Sequence, residues 1–172
     1  MIELLLRYLK HYWLSTTIYN EHSPQLYRFW EEVIKKSSNK SLEPDVESIR
    51  KGLLKDHRII ERHDLGQGSK KTRKKVSIAQ LARTSVSPLR KCALLFQVAG
   101  FTKADHILEL GTSLGISSAY LAKGRPNATI ISVEGDPALV AVAQSVHKEL
   151  KLSNINVVKG SFEVRLPEVL KS

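Results

Sequence analysis

The feature that most constrains this chain is an alternation compressed into residues 106 to 158. Three short apolar runs, His106-Ile-Leu-Glu-Leu110, Thr129-Ile-Ile-Ser-Val133 and Ile155-Asn-Val-Val158, are separated by stretches with helical spacing, Gly115 to Ala122 and Pro137 to Leu150. Strand, helix, strand, helix, strand at this spacing predicts βαβ units on a parallel sheet, because parallel neighbours need a crossover connection and a helix supplies it. A further helix is expected from Phe162 to Leu170.

In open parallel sheets, ligands bind beyond the carboxyl ends of the strands, so the residues that follow each run are the ones to read. The first run continues as Glu109-Leu-Gly111-Thr112-Ser113-Leu-Gly115. Gly111 permits a tight turn and close approach of a ligand to the backbone, and Gly115 opens a helix whose first N–H groups have no partner within it. Position 113 is Ser, so the dinucleotide pattern G-x-G-x-x-G is absent and NAD and FAD are disfavoured. The second run ends in Glu134, where a carboxylate can accept from both hydroxyls of a ribose. The third ends in Lys159-Gly160-Ser161-Phe162, a small residue and an aromatic edge suited to flanking a base. Each feature alone is common in α/β proteins. Together they predict a nucleoside pocket that does not grip a pyrophosphate.

The stretches ILELGTSLGISSAYLA, ISVEGDP and VVKGSFEVRLPEVL resemble the first half of class I S-adenosylmethionine-dependent methyltransferases of the catechol and caffeoyl-CoA O-methyltransferase type. The resemblance implies S-adenosyl-L-methionine as cofactor. It places Glu109 near the methionine amino group, the backbone of Gly111, Thr112, Ser113 and Gly115 around methionine and ribose, and Ser117 on the methionine carboxylate. It also places Glu134 on the ribose, Gly160, Ser161 and Phe162 along the adenine, and the segment from Thr84 to Pro88 over the cofactor mouth. The implied reaction is methyl transfer to an oxygen of a small-molecule acceptor. The family's sheet has seven strands in the order 3-2-1-4-5-7-6, and the pattern here stops after the third. The catalytic and metal-binding residues of those enzymes lie beyond that point, so none is assigned. A central strand without its neighbour would leave an edge of unpaired backbone groups. Three outcomes are open: the helical N-terminal region covers that edge, two chains pair across it as a homodimer, or the sequence is a fragment of a longer protein, which is the favoured expectation.

The first hundred residues carry apolar positions at intervals of three and four, which predicts helices. Five are expected, over residues 2–14, from Ser23-Pro24 through Ile34, 44–63, 76–83 and 88–101. The first two carry packing stripes, Leu5, Leu6, Leu9, Tyr12 and Trp13 in one and Leu26, Phe29, Trp30, Val33 and Ile34 in the other. A boundary near residue 102 divides this helical region, 1–102, from the partial Rossmann-like α/β segment, 103–172.

The net charge is +10, and residues 50 to 75 alone carry +7, from ten basic side chains against Asp56, Glu61 and Asp64. That stretch holds no aromatic residue on which bases could stack. A solvated helix face and loop is the favoured reading, with phosphate binding, as in an RNA methyltransferase or another nucleic-acid-associated protein, as the alternative. A catalytically inactive interaction module is the third. Cys92 is the one cysteine, which fits a reducing cytoplasm. The six histidines form no H-E-x-x-H or Cys/His pattern, and all six, His147 among them, read as surface or packing residues. No apolar run reaches the roughly 18 residues a membrane span needs.

Overall fold

A computed structural model describes residues 2–15, 23–37, 43–62 and 75–171. Its parallel sheet follows the alternation read above. Strand β3 (His106–Leu110) leads through helix α6 (Ile116–Gly124) to β4 (Thr129–Glu134), and helix α7 (Pro137–Glu149) leads on to β5 (Ile155–Lys159). The strand order is β3-β4-β5, with Ile107 paired to Ile130 and Ile130 to Ile155. Helix α8 (Phe162–Val169) follows. Local chemistry sets the boundaries. Asp136 caps α7 by accepting the Ala138 N–H at 3.0 Å, and Pro137 sits at the first helical position, where a missing N–H costs nothing.

One face of the sheet is packed. Ile130 is fully buried with Ile107 and Ile155 against Ala99 and Leu95 of helix α5 (Leu89–Thr102) and Leu121 and Ala122 of α6. On the opposite face Leu108 and Leu110 are exposed, and among the described residues no strand pairs with the outer edge of β3.

The helical region departs from expectation in three places. Helix α3 (Pro44–Leu53) ends ten residues earlier than the pattern suggested. Ile59 to Glu61 instead form strand β1, which pairs antiparallel with β2 (Lys75–Ser77), so Val76 belongs to a strand and helix α4 (Ile78–Thr84) starts two residues late. Ile59 and Ile60 are β-branched, and pairing with a segment about fifteen residues away overrides their weak helical preference. Helix α1 (Ile2–Leu14) forms as predicted but buries none of its residues. Helix α2 (Pro24–Phe29), extended by a π-helical turn (Trp30–Lys35), buries only Val33 of its expected stripe, while Leu26 and Trp30 stay exposed. Phe29 packs edge-on against Phe101 of α5, with centroids 5.5 Å apart.

The main core joins both parts of the chain. Val46, Leu53, Ile78, Leu81 and Cys92 pack with Leu114, Ile116, Tyr120, Leu139 and Val146. Polar ties reinforce it. The Tyr120 hydroxyl donates to Glu47 Oε1 at 2.8 Å, and Arg50 donates to the Ser87 carbonyl, which fixes the segment ahead of α5 to α3.

Candidate active site

The site forms where β3, β4 and β5 end. After Leu110 the backbone takes positive φ at every second residue, 94° at Gly111, 51° at Ser113 and 81° at Gly115. A β-carbon at Gly115 would lie 2.8 Å from His147 Nε2, so this position requires glycine for space as well as for φ. The turn is tied to its neighbours. The Gly111 N–H donates to the Val133 carbonyl at 2.8 Å, and the Gly115 N–H to the Thr112 carbonyl at 2.9 Å.

Glu134, at the end of β4, is held at both oxygens. Oε2 accepts the Ser113 N–H at 2.9 Å and Oε1 accepts the Asp136 N–H at 3.0 Å. The carboxylate therefore stands across the mouth of the turn. Asp136 in turn is paired with Arg62 at 3.3 Å, which ties the end of β1 to this edge.

Glu109 faces the same space from β3. Its Oε2 accepts from Ser132 Oγ at 2.6 Å, and Thr112 Oγ1 lies 2.6 Å from the same hydroxyl. Ser132 gives its only proton to the carboxylate, so Thr112 is the donor of that second bond. Burial pushes the Glu109 carboxyl above its usual range; hydrogen bonds from Ser117 and Ser132 oppose this and the charge of Glu134 adds to it. Ser113 Oγ, by contrast, is a buried hydroxyl without a hydrogen-bond partner.

The end of β5 closes the third side. The Gly160 N–H donates to the Glu134 carbonyl at 3.0 Å. Ser161 stands at the N-cap of α8 without a side-chain capping bond, and Phe162 begins that helix, 43% exposed. The fold thus brings Glu109, Gly111, Thr112, Ser113, Gly115, Ser117 and Glu134 around one turn, with Gly160 bonded to its rim. Ser117 bonds Glu109, a contact the sequence reading does not include.

Three further residues escaped the sequence reading. Ser132 is fully buried between Ile131 and Val133 of β4, a polar interruption of the apolar run that could have signalled its role. Arg62 and Asp136 lie 74 positions apart, and nothing local joins them. Of the basic residues from 50 to 62, Arg50, Arg58 and Arg62 are engaged within the fold, with Ser87, Asp56 and Asp136. Residues 63–74, which hold Lys70, Lys71, Arg73 and Lys74, lie outside the described residues. Cys92 is buried, and burial raises its thiol to about 11, which keeps it unreactive. A groove of about 550 Å³ between α3, β1 and α7 contains none of the candidate residues.

The profile of the protein-L-isoaspartate (D-aspartate) O-methyltransferase family matches residues 57–164, well over half of the chain and every candidate residue from Glu109 to Phe162. The chain belongs to this family. Among curated proteins, the protein-L-isoaspartate O-methyltransferase of Methanococcus aeolicus is 29% identical over 79 residues, which cover 45% of this chain and 36% of that protein. Among solved structures, an S-adenosylhomocysteine-bound methyltransferase of Podospora anserina aligns over 90% of this chain and 56% of its own, with TM-score 0.58 and 14% identity. An O-methyltransferase of Bacillus cereus in complex with S-adenosylhomocysteine aligns over 91% and 58%, with TM-score 0.56 and 17% identity. The fold is that of the class I S-adenosylmethionine-dependent methyltransferases. The chain spans little more than half the length of these solved structures, and the match to the curated relative covers about a third of that protein. Among the described residues, no helix is long and apolar enough to cross a membrane, and no group of three His, Cys, Asp or Glu could hold a metal ion.

Proposed function

We propose that this chain binds S-adenosyl-L-methionine at the Gly111–Gly115 turn and serves O-methyl transfer. The observation that carries the reading is the orphaned Ser113 hydroxyl, buried in a turn of alternating positive φ beside the fixed Glu134 carboxylate. A buried hydroxyl left without a partner costs about 1–3 kcal/mol, which a polar ligand group would recover. Gly111 leaves open space where a side chain would stand, so a ligand can approach the backbone closely.

The residues present fit the cofactor. Glu134 would accept from the ribose hydroxyls and Glu109 would face the methionine amino group. The first turn of α6 and Ser113 would receive the methionine end, while Gly160, Ser161 and Phe162 would border the base. When bound, the cofactor supplies a methyl group on a positively charged sulfur, open to in-line attack by an oxygen. The chain's own part is to bind and orient; Glu109 and Glu134 add negative charge beside a cationic ligand.

The acceptor oxygen is favoured as the carboxylate of an isoaspartyl residue, since the matching family and the curated relative carry that name. A small-molecule hydroxyl, the acceptor expected from the sequence, is the second reading. It is favoured by the fold likeness extending through the helices before residue 57, where the family match does not reach. Cytoplasmic residence belongs to the same proposal. The test is calorimetric titration of the chain with S-adenosylhomocysteine, followed by transfer of labelled methyl from S-adenosylmethionine to an isoaspartyl peptide or to a catechol. Saturable binding at one site supports the cofactor reading, and the labelled product decides the acceptor. A folded chain that does not bind sinks the proposal.

A further inference from the structure

The turn that frames the site is supported from behind by a side chain outside it. His147, in the last turn of α7, is only 5% exposed. Its Nε2 lies 3.1 Å from the Gly115 carbonyl oxygen and 2.9 Å from Ser118 Oγ. A carbonyl can only accept and Ser118 already gives its own proton to that oxygen, so Nε2 carries a proton that it directs at both, and burial lowers the His147 pKa, which favours the neutral Nε2–H tautomer. The same oxygen also accepts from Ser118 Oγ at 3.1 Å and from the Ala119 N–H at 3.2 Å. Three donors thus converge on one carbonyl.

That carbonyl belongs to the peptide unit joining Gly115 to Ile116, the first residue of α6. The unit is planar and trans, so its N–H points opposite to its C=O. Fixing the Gly115 carbonyl from inside the protein therefore fixes the direction of the Ile116 N–H, which projects from the helix N-terminus toward the strand ends. The absence of a side chain at Gly115 belongs to the same arrangement. The imidazole and Ala143 occupy the space a β-carbon would need, with Nε2 at 2.8 Å and the Ala143 Cα at 3.1 Å.

We propose that His147 is a positioning residue for cofactor binding: through Nε2–H it locks the Gly115 carbonyl and aims the first N–H groups of α6 at the ligand. The inference rests on the cofactor reading above. It assigns a binding role to a side chain that touches the site only from behind, through the Gly115 carbonyl, and it gives Gly115 a second reason to be glycine.

The test compares S-adenosylhomocysteine binding by the wild-type chain, His147→Phe and His147→Gln, with melting temperatures recorded for all three. Phe keeps a planar ring of similar size without the donor, and Gln returns an N–H donor to the same region. Loss of one hydrogen bond of ordinary strength predicts about tenfold weaker binding for His147→Phe. Binding within about threefold of wild type is expected for His147→Gln, because the donor is restored. A merely structural histidine would show no such rescue. His147→Phe binding as tightly as wild type, or both variants weakening alike, overturns the inference while leaving the cofactor reading intact. Failure of the wild-type chain to bind removes both. Should His147→Phe not fold, nitrogen-15 histidine spectra of the wild-type chain decide. A protonated Nε2 whose resonance shifts on adding S-adenosylhomocysteine supports the role, and an Nδ1–H tautomer or an unmoved signal overturns it.

Discussion

Ser113 and Glu134 meet across the carboxyl ends of β3 and β4, the backbone N–H of one donating at 2.9 Å to Oε2 of the other, 21 positions along the chain. This contact sets the shape of the turn, because it holds a non-glycine residue at φ 51°, a conformation such residues rarely adopt. The acid is thus an organiser of the turn as well as a candidate ligand group.

Replacing Glu134 with Ala should therefore produce two losses. Two backbone N–H groups lose a charged acceptor, a cost of about 2 kcal/mol, or a melting temperature lower by about 4–8 °C. Affinity for S-adenosylhomocysteine should fall at least about tenfold, as the ribose loses its acceptor. Calorimetry and a thermal melt measure the two separately; unchanged affinity in a folded variant would remove Glu134 from the cofactor site.

Gly115→Ala meets both a positive φ of 81° and the His147 imidazole at 2.8 Å. The strain and overpacking together should destabilise the chain by about 2–3 kcal/mol. Gly52, where a β-carbon would meet nothing within 4 Å, is the control site, and urea unfolding of both Ala variants checks the contrast.

Burial raises the Glu109 carboxyl in the folded chain above its unfolded value near 4.5. The folded form then binds more protons than the unfolded one between those two values, so this residue's contribution to stability is lost as pH rises through that window. Glu109→Gln does not titrate. The difference in melting temperature between variant and wild type should move in the variant's favour as pH rises from about 4 into the neutral range, and a difference that does not vary with pH would contradict the burial.

The Tyr120 hydroxyl is the bridge from α6 to Glu47 on α3, and burial pushes its pKa upward, with the Glu47 carboxylate adding to the shift. Tyr120→Phe leaves Glu47 with Arg50 as partner at 3.9 Å. A loss of about 1–1.5 kcal/mol in urea unfolding is expected, with S-adenosylhomocysteine affinity unchanged, since Tyr120 makes no contact with the turn's polar groups.

The three parallel strands and both crossover helices were legible in the sequence nearly to the residue. Their signals are local: a period of two or 3.6, Asp136-Pro137 opening a helix, and Gly111 and Gly115 marking a turn. The candidate residues were legible for the same reason, since a parallel sheet delivers the end of each strand to one edge. Tertiary structure alone decided the rest. The antiparallel pairing of Ile59–Glu61 with Lys75–Ser77 needs a partner that the local pattern does not name, so a helix was expected there instead. The stripe of α1 was visible, yet its burial depends on what lies opposite, and none of its residues is buried. His147 read as a surface or packing residue because one position on a helix does not reveal its neighbours. Only the packing of α7 against α6 places its Nε2 on the Gly115 carbonyl, 32 positions away, and converts a packing residue into a buried hydrogen-bond donor.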